Sequence, residues 1–216
     1  TISHPISNNP EPKIAVTSIS FGKSATLREE LLLVFPNSFF NESGQRLSGK
    51  ELIEFIGDAD AAIVGVETIN DSVLEHTPAL KIISKYGVGL DSIDQESLKN
   101  RNISLGWTGG VNKRSVSEQT LCFMLGLCRN IFRSGFKLKN SEWDKNGGHQ
   151  LSGKTIGIIG CGHIGSDVAR LLSPFGCALL VRDIVDKSDF CLEQGAVEVS
   201  LSEMIEKSDI ISLHVP

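Results

Sequence analysis

Short apolar runs alternate with segments of helical periodicity in the first half of the chain. Four apolar runs predict buried strands, at residues 13–17, 61–64, 82–85 and 103–105. The segments between them predict helices, at residues 25–34, 50–56, 72–76 and 95–100. Ser48 and Glu51 have the spacing of a capping box, which favours a helix start at that point. Strict alternation of strands and helices is typical of a parallel sheet covered on both faces, so the pattern predicts an α/β fold.

A longer helix is predicted from Ser115, where Ser115 and Glu118 again have capping-box spacing, to about Phe132. Its apolar residues fall on nearly every face, so we expect it to be buried on all sides. Such a helix can lie between two domains, between two subunits or both, or it can form the centre of one core, and the pattern does not choose among these. The polar, glycine-rich stretch 140–153 that follows predicts a loop, with Trp143 as its one large anchor.

A second alternating series begins at Lys154. Its predicted strands are residues 155–159, 178–181, 197–199 and 210–213. Its predicted helices are residues 164–175, 190–194 and 201–207. The chain is therefore expected to contain two successive α/β units.

Composition and charge exclude several classes of protein. Hydrophobic residues make up 40% and charged residues 22% of the chain, which is ordinary for a globular domain and sufficient for a core. The formal net charge of −5 argues against nucleic acid or an anionic membrane as a partner. No apolar run is long enough to span a bilayer. Residues 1–12 are expected to form a mobile tail rather than a signal peptide.

Neither the cysteines nor the histidines show the spacing of a metal site. The chain has five cysteines, an odd number without a Cys-x-x-Cys pair, and five scattered histidines. A disulfide framework or a bound metal is therefore not expected, and a reducing, cytoplasmic location fits best.

The segment that begins at Gly160 is a G-x-G-x-x-G motif between a predicted strand and a predicted helix. Gly160 permits the tight strand-to-helix turn, Gly162 lets the backbone approach a pyrophosphate, and Gly165 lets the helix pack closely on the strand. The free N–H groups at the helix start, at His163 and Ile164, favour phosphate together with the positive helix dipole. The motif therefore predicts a dinucleotide site.

Asp183 ends the next predicted strand, about 20 residues after the motif, where an acidic residue accepts hydrogen bonds from ribose hydroxyls. Its carboxylate repels a 2′-phosphate, so NAD is expected rather than NADP, although the neighbouring Arg182 acts in the opposite direction. The alternative interpretation is a glycine-rich turn in an ordinary βα unit, with Asp183 as a loop residue.

Further motifs occur in a fixed order around these residues. They are KYGVGLDSID at 85–94, GGVN at 109–112, VSE at 116–118, LSGKTIGIIG at 151–160 and LHVP at 213–216. On these motifs, from about Leu80 to Pro216, the chain resembles the D-isomer-specific 2-hydroxyacid dehydrogenases, the family that includes phosphoglycerate dehydrogenase. Residues 13–79 match that family only in pattern.

The resemblance implies two domains with the active site in the cleft between them. A flavodoxin-like domain at residues 13–107 would bind the substrate. Residues 108–216 would form the first half of a Rossmann NAD-binding domain, with Val215 and Pro216 in the cofactor site. The helix from Ser115 would form part of a homodimer contact.

The resemblance also implies a substrate loop. Lys85 and the backbone at Val88 and Gly89 would face the substrate carboxylate, since a glycine-flanked loop can turn its N–H groups toward an anion. Asn112 would lie near the substrate carbonyl. The alternative is that Gly87 and Gly89 only shape a turn and that Lys85 is solvated.

Two departures from the family pattern affect these expectations. Cys161 and His163 stand where the family usually has a large apolar residue and an arginine, but neither replacement removes a glycine. The family's catalytic arginine, glutamate and histidine lie beyond the motif that ends at Pro216. No catalytic residue is therefore assigned in this chain, and His214 is not taken as the acid–base group.

The resulting hypothesis is an NAD-dependent oxidoreductase that transfers a hydride between nicotinamide and a small D-2-hydroxy acid or 2-oxo acid, phosphoglycerate-like substrates included. The alternatives are an NAD-sensing, corepressor-like interaction protein of the same fold, and an inactive fragment that only binds nucleotide. Because the strand at 210–213 would be an unprotected sheet edge, the chain as given is expected to be incomplete and inactive by itself.

Overall fold

A computed structural model describes residues 11–215 of the chain. It divides into two compact units that meet in sequence between Thr108 and Gly109. Residues 1–10 of the expected tail, and Pro216 of the expected cofactor site, lie outside the described residues.

The first unit is built on a five-stranded parallel sheet. Its strands are β1 (Ile14–Val16), β2 (Ser38–Phe40), β3 (Ala61–Val64), β4 (Ile82–Lys85) and β5 (Ser104–Gly106). They lie in the order β2-β1-β3-β4-β5, which is the flavodoxin-like order. The alternation in the sequence therefore predicted the class of this unit correctly.

Helices connect these strands, and the last three of them bury apolar side chains in the core of the unit. They are α1 (Ile19–Gly22), α2 (Ala25–Val34), α3 (Gly49–Ile56), α4 (Asp71–Glu75) and α5 (Gln95–Asn100). The core includes side chains from three strands and three helices, among them Ala15, Leu52, Ile56, Val64, Leu74, Ile83 and Leu98.

Two elements of the first unit are absent from the sequence prediction. Strand β2 is a half-buried edge strand of three residues, Ser-Phe-Phe, and no long apolar run marks it. Helix α1 is a single turn that begins at Ser18, whose hydroxyl accepts the N–H of Phe21. The capping box expected at Ser48 is wrong in one respect: Ser48 is the N-cap of α3, but its side chain accepts no hydrogen bond.

The second unit contains a four-stranded parallel sheet. Its strands are β6 (Thr155–Ile159), β7 (Ala178–Arg182), β8 (Val197–Glu198) and β9 (Ile210–Leu213), in the order β8-β7-β6-β9. This is the order of the first half of a Rossmann sheet plus the first strand of the other half, and β9 lies at an edge.

The helices of the second unit are α6 (Lys113–Cys128), α7 (Ile131–Lys139), α8 (His163–Leu172), α9 (Ser188–Gln194) and α10 (Leu201–Lys207). A 3₁₀ turn, Ser173–Phe175, continues α8, and Gly176 in the left-handed region ends it. Helix α8 packs against α6 and β6, and the core between them includes Met124, Ile156, Ile158, Val168 and Leu172.

The long helix predicted from Ser115 differs from the prediction at both ends. It begins at Lys113 with Asn112 as N-cap, so Ser115 and Glu118 lie inside the helix and form no capping box. Arg114 explains the early start, because its Nη2 atom lies 3.0 Å from Oδ1 of Asp167 on α8 and holds the first turn in place. Asn130 adopts a left-handed conformation, which ends α6 before a separate helix α7 begins.

Within this chain the helix is not buried on all sides, and its burial against a second subunit stays a prediction. Phe123 and Leu127 on α6 are 52% and 68% exposed. Phe132 and Phe136 on α7 are also exposed. Helix α6 therefore is not the centre of a core, and it presents apolar side chains to solvent.

The loop at residues 140–153 is present, but Trp143 does not anchor it. Trp143 is 74% exposed. Asp144 anchors the loop instead. Its carboxylate accepts hydrogen bonds from the ammonium of Lys137 at 2.8 Å and from the N–H of Asn146 at 3.0 Å.

Candidate functional site

The glycine motif forms a tight turn between β6 and α8. Gly160 has φ +86°, and a Cβ atom there would lie 2.5 Å from the carbonyl oxygen of His214. A Cβ atom on Gly165 would lie 2.1 Å from the carbonyl oxygen of Gly160. Because backbone atoms block both positions, any larger residue must displace the turn or β9.

A cavity of about 540 Å³ opens beside this turn at the carboxyl ends of the strands. Its lining residues are Ile159, Gly160, Gly162, Arg182, Asp183, Ile184, Leu201, His214 and Val215. No atom lies within 4 Å of the position of a Cβ on Gly162, so the turn leaves open space at the N-terminus of the ten-residue helix α8. Open backbone at the positive end of a helix dipole fits the diphosphate of a dinucleotide.

Asp183 is fixed at the end of β7 by the glycine turn itself. Its Oδ2 atom accepts the N–H of Cys161 at 2.7 Å, and its Oδ1 atom accepts the N–H of Val185 at 3.1 Å. Burial alone raises the pKa of this carboxyl, but the backbone hydrogen bonds and the nearby ammonium of Lys187 outweigh it and lower the pKa. The group is therefore a carboxylate at neutral pH, with lone pairs left for ribose hydroxyls.

His163 and Ile164 occupy the first turn of α8. The imidazole of His163 is exposed and packs on Gly110. A Cβ atom on Gly110 would lie 2.7 Å from Cγ of His163. The side chain of Ile164 packs against the core, so only its backbone can reach the cavity. The carbonyl of Ile164 also accepts the hydroxyl of Ser117 at 3.4 Å, which links α8 to α6.

The side chain of Cys161 turns inward and forms a small cluster with Val181 and Cys191. Burial raises the pKa of both thiols, which keeps them protonated and unreactive. Cys161, which replaces the family's large apolar residue, thus packs beside a second buried thiol, that of Cys191.

His214 and Val215 close the cavity on the side of β9. The N–H of His214 donates to the carbonyl of Ile159 at 2.8 Å. Its Nε2 atom lies 2.9 Å from the hydroxyl of Ser212, and burial lowers the pKa of the imidazole. His214 is therefore neutral at pH 7 and tied to its own strand.

The expected substrate loop lines a second cavity, of about 290 Å³, in the first unit. Its lining residues are Gly65, Val66, Lys85, Tyr86, Gly87, Val88, Gly89, Asp91 and Ser92. Three of the sequence-predicted residues, Lys85, Val88 and Gly89, are thereby brought together. Asn112 belongs to the second unit, where it is the exposed N-cap of α6 and makes no side-chain cap bond.

Trp107 orients the loop, and the sequence analysis does not predict it. Its indole N–H donates to the carbonyl of Val88 at 2.9 Å. Because the peptide is planar and trans, the N–H of Gly89 points the opposite way. Within residues 11–215, the N–H groups of Val88 and Gly89 donate to no other group, so both are available to an anion.

Lys85 is half-buried rather than freely solvated. Its ammonium donates to the carbonyl of Gly65 and, at 3.2 Å, to the hydroxyl of Ser92. Burial lowers the pKa of Lys85, while the charges of Glu67 and Asp91 oppose that effect. The acid Glu67 was also not predicted. No motif marks it, and only the packing reveals its burial.

The second unit matches a known family of domains. Residues 121–216 match the family model of the D-isomer specific 2-hydroxyacid dehydrogenase, NAD binding domain. A hydroxypyruvate reductase of Thermotoga maritima is 33% identical over 193 residues, which is 88% of this chain and 62% of the reductase.

Residues 121–216 thus match the NAD-binding domain of the D-isomer-specific 2-hydroxyacid dehydrogenases, and the chain is similar to that family over most of its length. Another relative, a D-3-phosphoglycerate dehydrogenase of Methanocaldococcus jannaschii, is 33% identical over 194 residues, or 88% of this chain and 37% of that enzyme. A D-lactate dehydrogenase of Aquifex aeolicus, solved with NAD and lactic acid, superposes with TM-score 0.80 at 27% identity over 94% of this chain and 60% of that one. The expectation of NAD as cofactor is thus confirmed at the level of the family.

The chain spans less than two thirds of the length of each of these relatives. No helix within residues 11–215 is long and apolar enough to cross a membrane. In the same part of the chain, no group of three or more His, Cys, Asp or Glu side chains is placed to hold a metal ion.

Proposed function

We propose that this protein is an NAD-dependent oxidoreductase that interconverts a small D-2-hydroxy acid and its 2-oxo acid. The observation that carries the proposal is the joint geometry of the glycine turn and Asp183. Open backbone at the start of α8 and a carboxylate bonded to the same turn suit a diphosphate and a ribose in one cavity.

In this proposal the two units have separate roles. The second unit binds NAD through Gly160, Gly162, His163, Ile164 and Gly165, with Asp183 on the ribose and Val215 at the edge of the site. A role for Pro216, which lies outside the described residues, stays a prediction from the sequence. NAD supplies the hydride chemistry, and the protein contributes binding and orientation.

The first unit binds the acid. Lys85 and the N–H groups of Val88 and Gly89 surround one small cavity and suit a carboxylate, because an ammonium and two unpaired amides are strong anion partners. Asn112 is proposed to lie near the substrate carbonyl. No residue within 11–215 is proposed as the catalytic acid or base.

Calorimetry and a substrate scan test this function on the purified protein. NADH is expected to bind saturably, and a panel of 2-oxo acids is expected to include one whose addition oxidises NADH or binds only when NADH is present. Failure of NADH to bind would refute the proposal. Binding of NADH without response to any acid would instead favour one of the two alternatives, an NAD-sensing protein or an inactive fragment that only binds nucleotide.

The homodimer is likewise a proposal. It is supported by the exposed apolar side chains on α6 and α7, including Phe123, Leu127 and Phe136. Light scattering after size exclusion distinguishes a dimer from a monomer, and Leu127→Glu should shift the mass toward the monomer. The cytoplasmic location stays a prediction.

A further inference from the structure

Glu67 is a buried acid for which the proposed function has no role. Only 1% of its surface is exposed, and it follows β3, two residues after Gly65, which lines the small cavity in the first unit. A carboxylate without solvent requires hydrogen bonds and a nearby cation, so its surroundings should show what holds it there.

The peptide units of Gly65 connect Glu67 to Lys85. The N–H of Gly65 donates to Oε2 of Glu67 at 2.6 Å. The carbonyl of Gly65 accepts the ammonium of Lys85. A Cβ atom on Gly65 would lie 3.0 Å from Oγ of Ser18 and 3.5 Å from Oε2 of Glu67, so the glycine is held between these two side chains.

Lys85 has one donor to spare in this arrangement. An ammonium carries three N–H bonds, and Lys85 gives one to Gly65 and one to Ser92. The charged groups whose fields reach it are Glu67 after β3, Asp91 in its own loop and Arg46 in the loop before α3. Glu67 and Asp91 favour the protonated amine, whereas Arg46 and burial oppose it.

We propose that Glu67 is a positioning residue that, through Gly65, fixes the ammonium of Lys85 so that its third N–H binds the carboxylate of the organic acid. The identity of the bound acid rests on the proposed function. The link from Glu67 to Lys85 is independent of the proposed function. Removing the charge of Glu67 therefore should change the titration of Lys85 even in the absence of NAD and substrate.

Competitive acetylation of lysines with acetic anhydride, read out by peptide mass spectrometry between pH 7 and 10, measures that titration. In Glu67→Gln, which keeps an acceptor for Gly65, Lys85 should react faster at pH 8, by about threefold, because loss of the Glu67 charge lowers the pKa of Lys85 and raises the fraction of free amine. Glu75→Gln is the matched control, because Glu75 is an exposed acid at the end of α4 in the same unit. If Lys85 reacts alike in Glu67→Gln, Glu75→Gln and the unmodified protein, the link is wrong.

A double-mutant cycle covers the case in which Glu67→Gln folds poorly. Lys85→Met leaves Glu67 buried without its cation, so it should unfold at lower urea, and Glu67→Gln/Lys85→Met should recover part of that loss. A double variant that is no more stable than Lys85→Met would overturn the link.

The same acetylation assay separates this proposal from the proposed function. A D-2-hydroxy acid, added with NAD, should slow the acetylation of Lys85 and leave other lysines unchanged. The pH profile of Lys85 acetylation could shift in Glu67→Gln while no acid protects Lys85 from acetylation. That result would retain the link from Glu67 to Lys85 and refute the role of Lys85 in substrate binding.

Discussion

The backbone N–H of Cys161 donates to Oδ2 of Asp183 at 2.7 Å, so the glycine turn and the end of β7 are fastened to each other. One carboxylate thereby shapes the turn and faces the cavity. This double role makes Asp183 the residue whose replacement is most informative.

Asp183→Ala should weaken NADH binding by roughly 1–3 kcal/mol, the scale for losing hydrogen bonds to a charged acceptor. Asp183→Asn is the matched comparison, because its amide oxygen can still accept the N–H of Cys161. Calorimetry should therefore give Asn an intermediate affinity. Equal affinities for all three proteins would show that Asp183 does not contact the cofactor.

Lys187 should become a phosphate ligand when Asp183 is removed. Its ammonium lies 3.9 Å from Oδ2 of Asp183, and Arg182 lines the same cavity. In Asp183→Ser, Lys187 loses its anion, and both Lys187 and Arg182 can pair with the 2′-phosphate of NADPH. NADPH affinity should rise in Asp183→Ser and fall again in Asp183→Ser/Lys187→Gln. The idea fails if the second substitution leaves NADPH affinity unchanged.

Lys85→Ala should raise KM for the acid by roughly tenfold or more, the loss expected for one charge-assisted hydrogen bond. The affinity for NADH should stay the same, because Lys85 lies outside the unit that contains the glycine turn. Steady-state kinetics on an active form of the enzyme checks the KM, and a separate titration with NADH checks the cofactor affinity. A change in NADH affinity with an unchanged KM for the acid would contradict the assignment.

His214 should make the protein less stable in mild acid. Burial lowers the pKa of its imidazole in the folded state, so the unfolded chain takes up the proton first. The free energy of unfolding should therefore fall as pH drops below about 6.5, the ordinary pKa of histidine. Above that pH the neutral imidazole costs the folded state nothing relative to the unfolded chain. Urea unfolding at pH 7 and pH 5 should show a smaller drop for His214→Gln than for the unmodified protein. An equal drop in both would rule out His214 as the cause.

The sequence predicts the interior of both sheets well because buried parallel strands are continuous apolar runs. The interior strands β3, β4 and β6 accordingly have the predicted bounds, and so does β9, although it lies at the edge of its sheet. Strand β2 lacks such a run and follows Pro36 and Asn37, which are typical of a turn.

The start and end of α6 depend on tertiary and local effects that a periodic pattern does not contain. The ion pair between Arg114 and Asp167 joins residues far apart in sequence, and the left-handed conformation of Asn130 divides what looks like one helix. The exposure of Phe123 and Leu127 could not be predicted either, because the sequence pattern shows which residues are apolar and not whether they are buried.

The conformation of the glycine turn was predictable because glycine spacing reports backbone conformation directly. Gly160 and Gly165 are required by contacts within their own turn and its neighbouring strand. Glu67 and Trp107 are different, because their roles arise from contacts with distant residues and no local spacing marks them.

Titration calorimetry of the purified protein with NADH and with NADPH tests the central claim most directly. The account predicts saturable binding of one NADH per chain, weaker binding of NADPH, and loss of NADH binding in Gly165→Val, whose side chain would meet the carbonyl of Gly160. Absence of NADH binding, or NADPH binding that is equal or tighter, would contradict it.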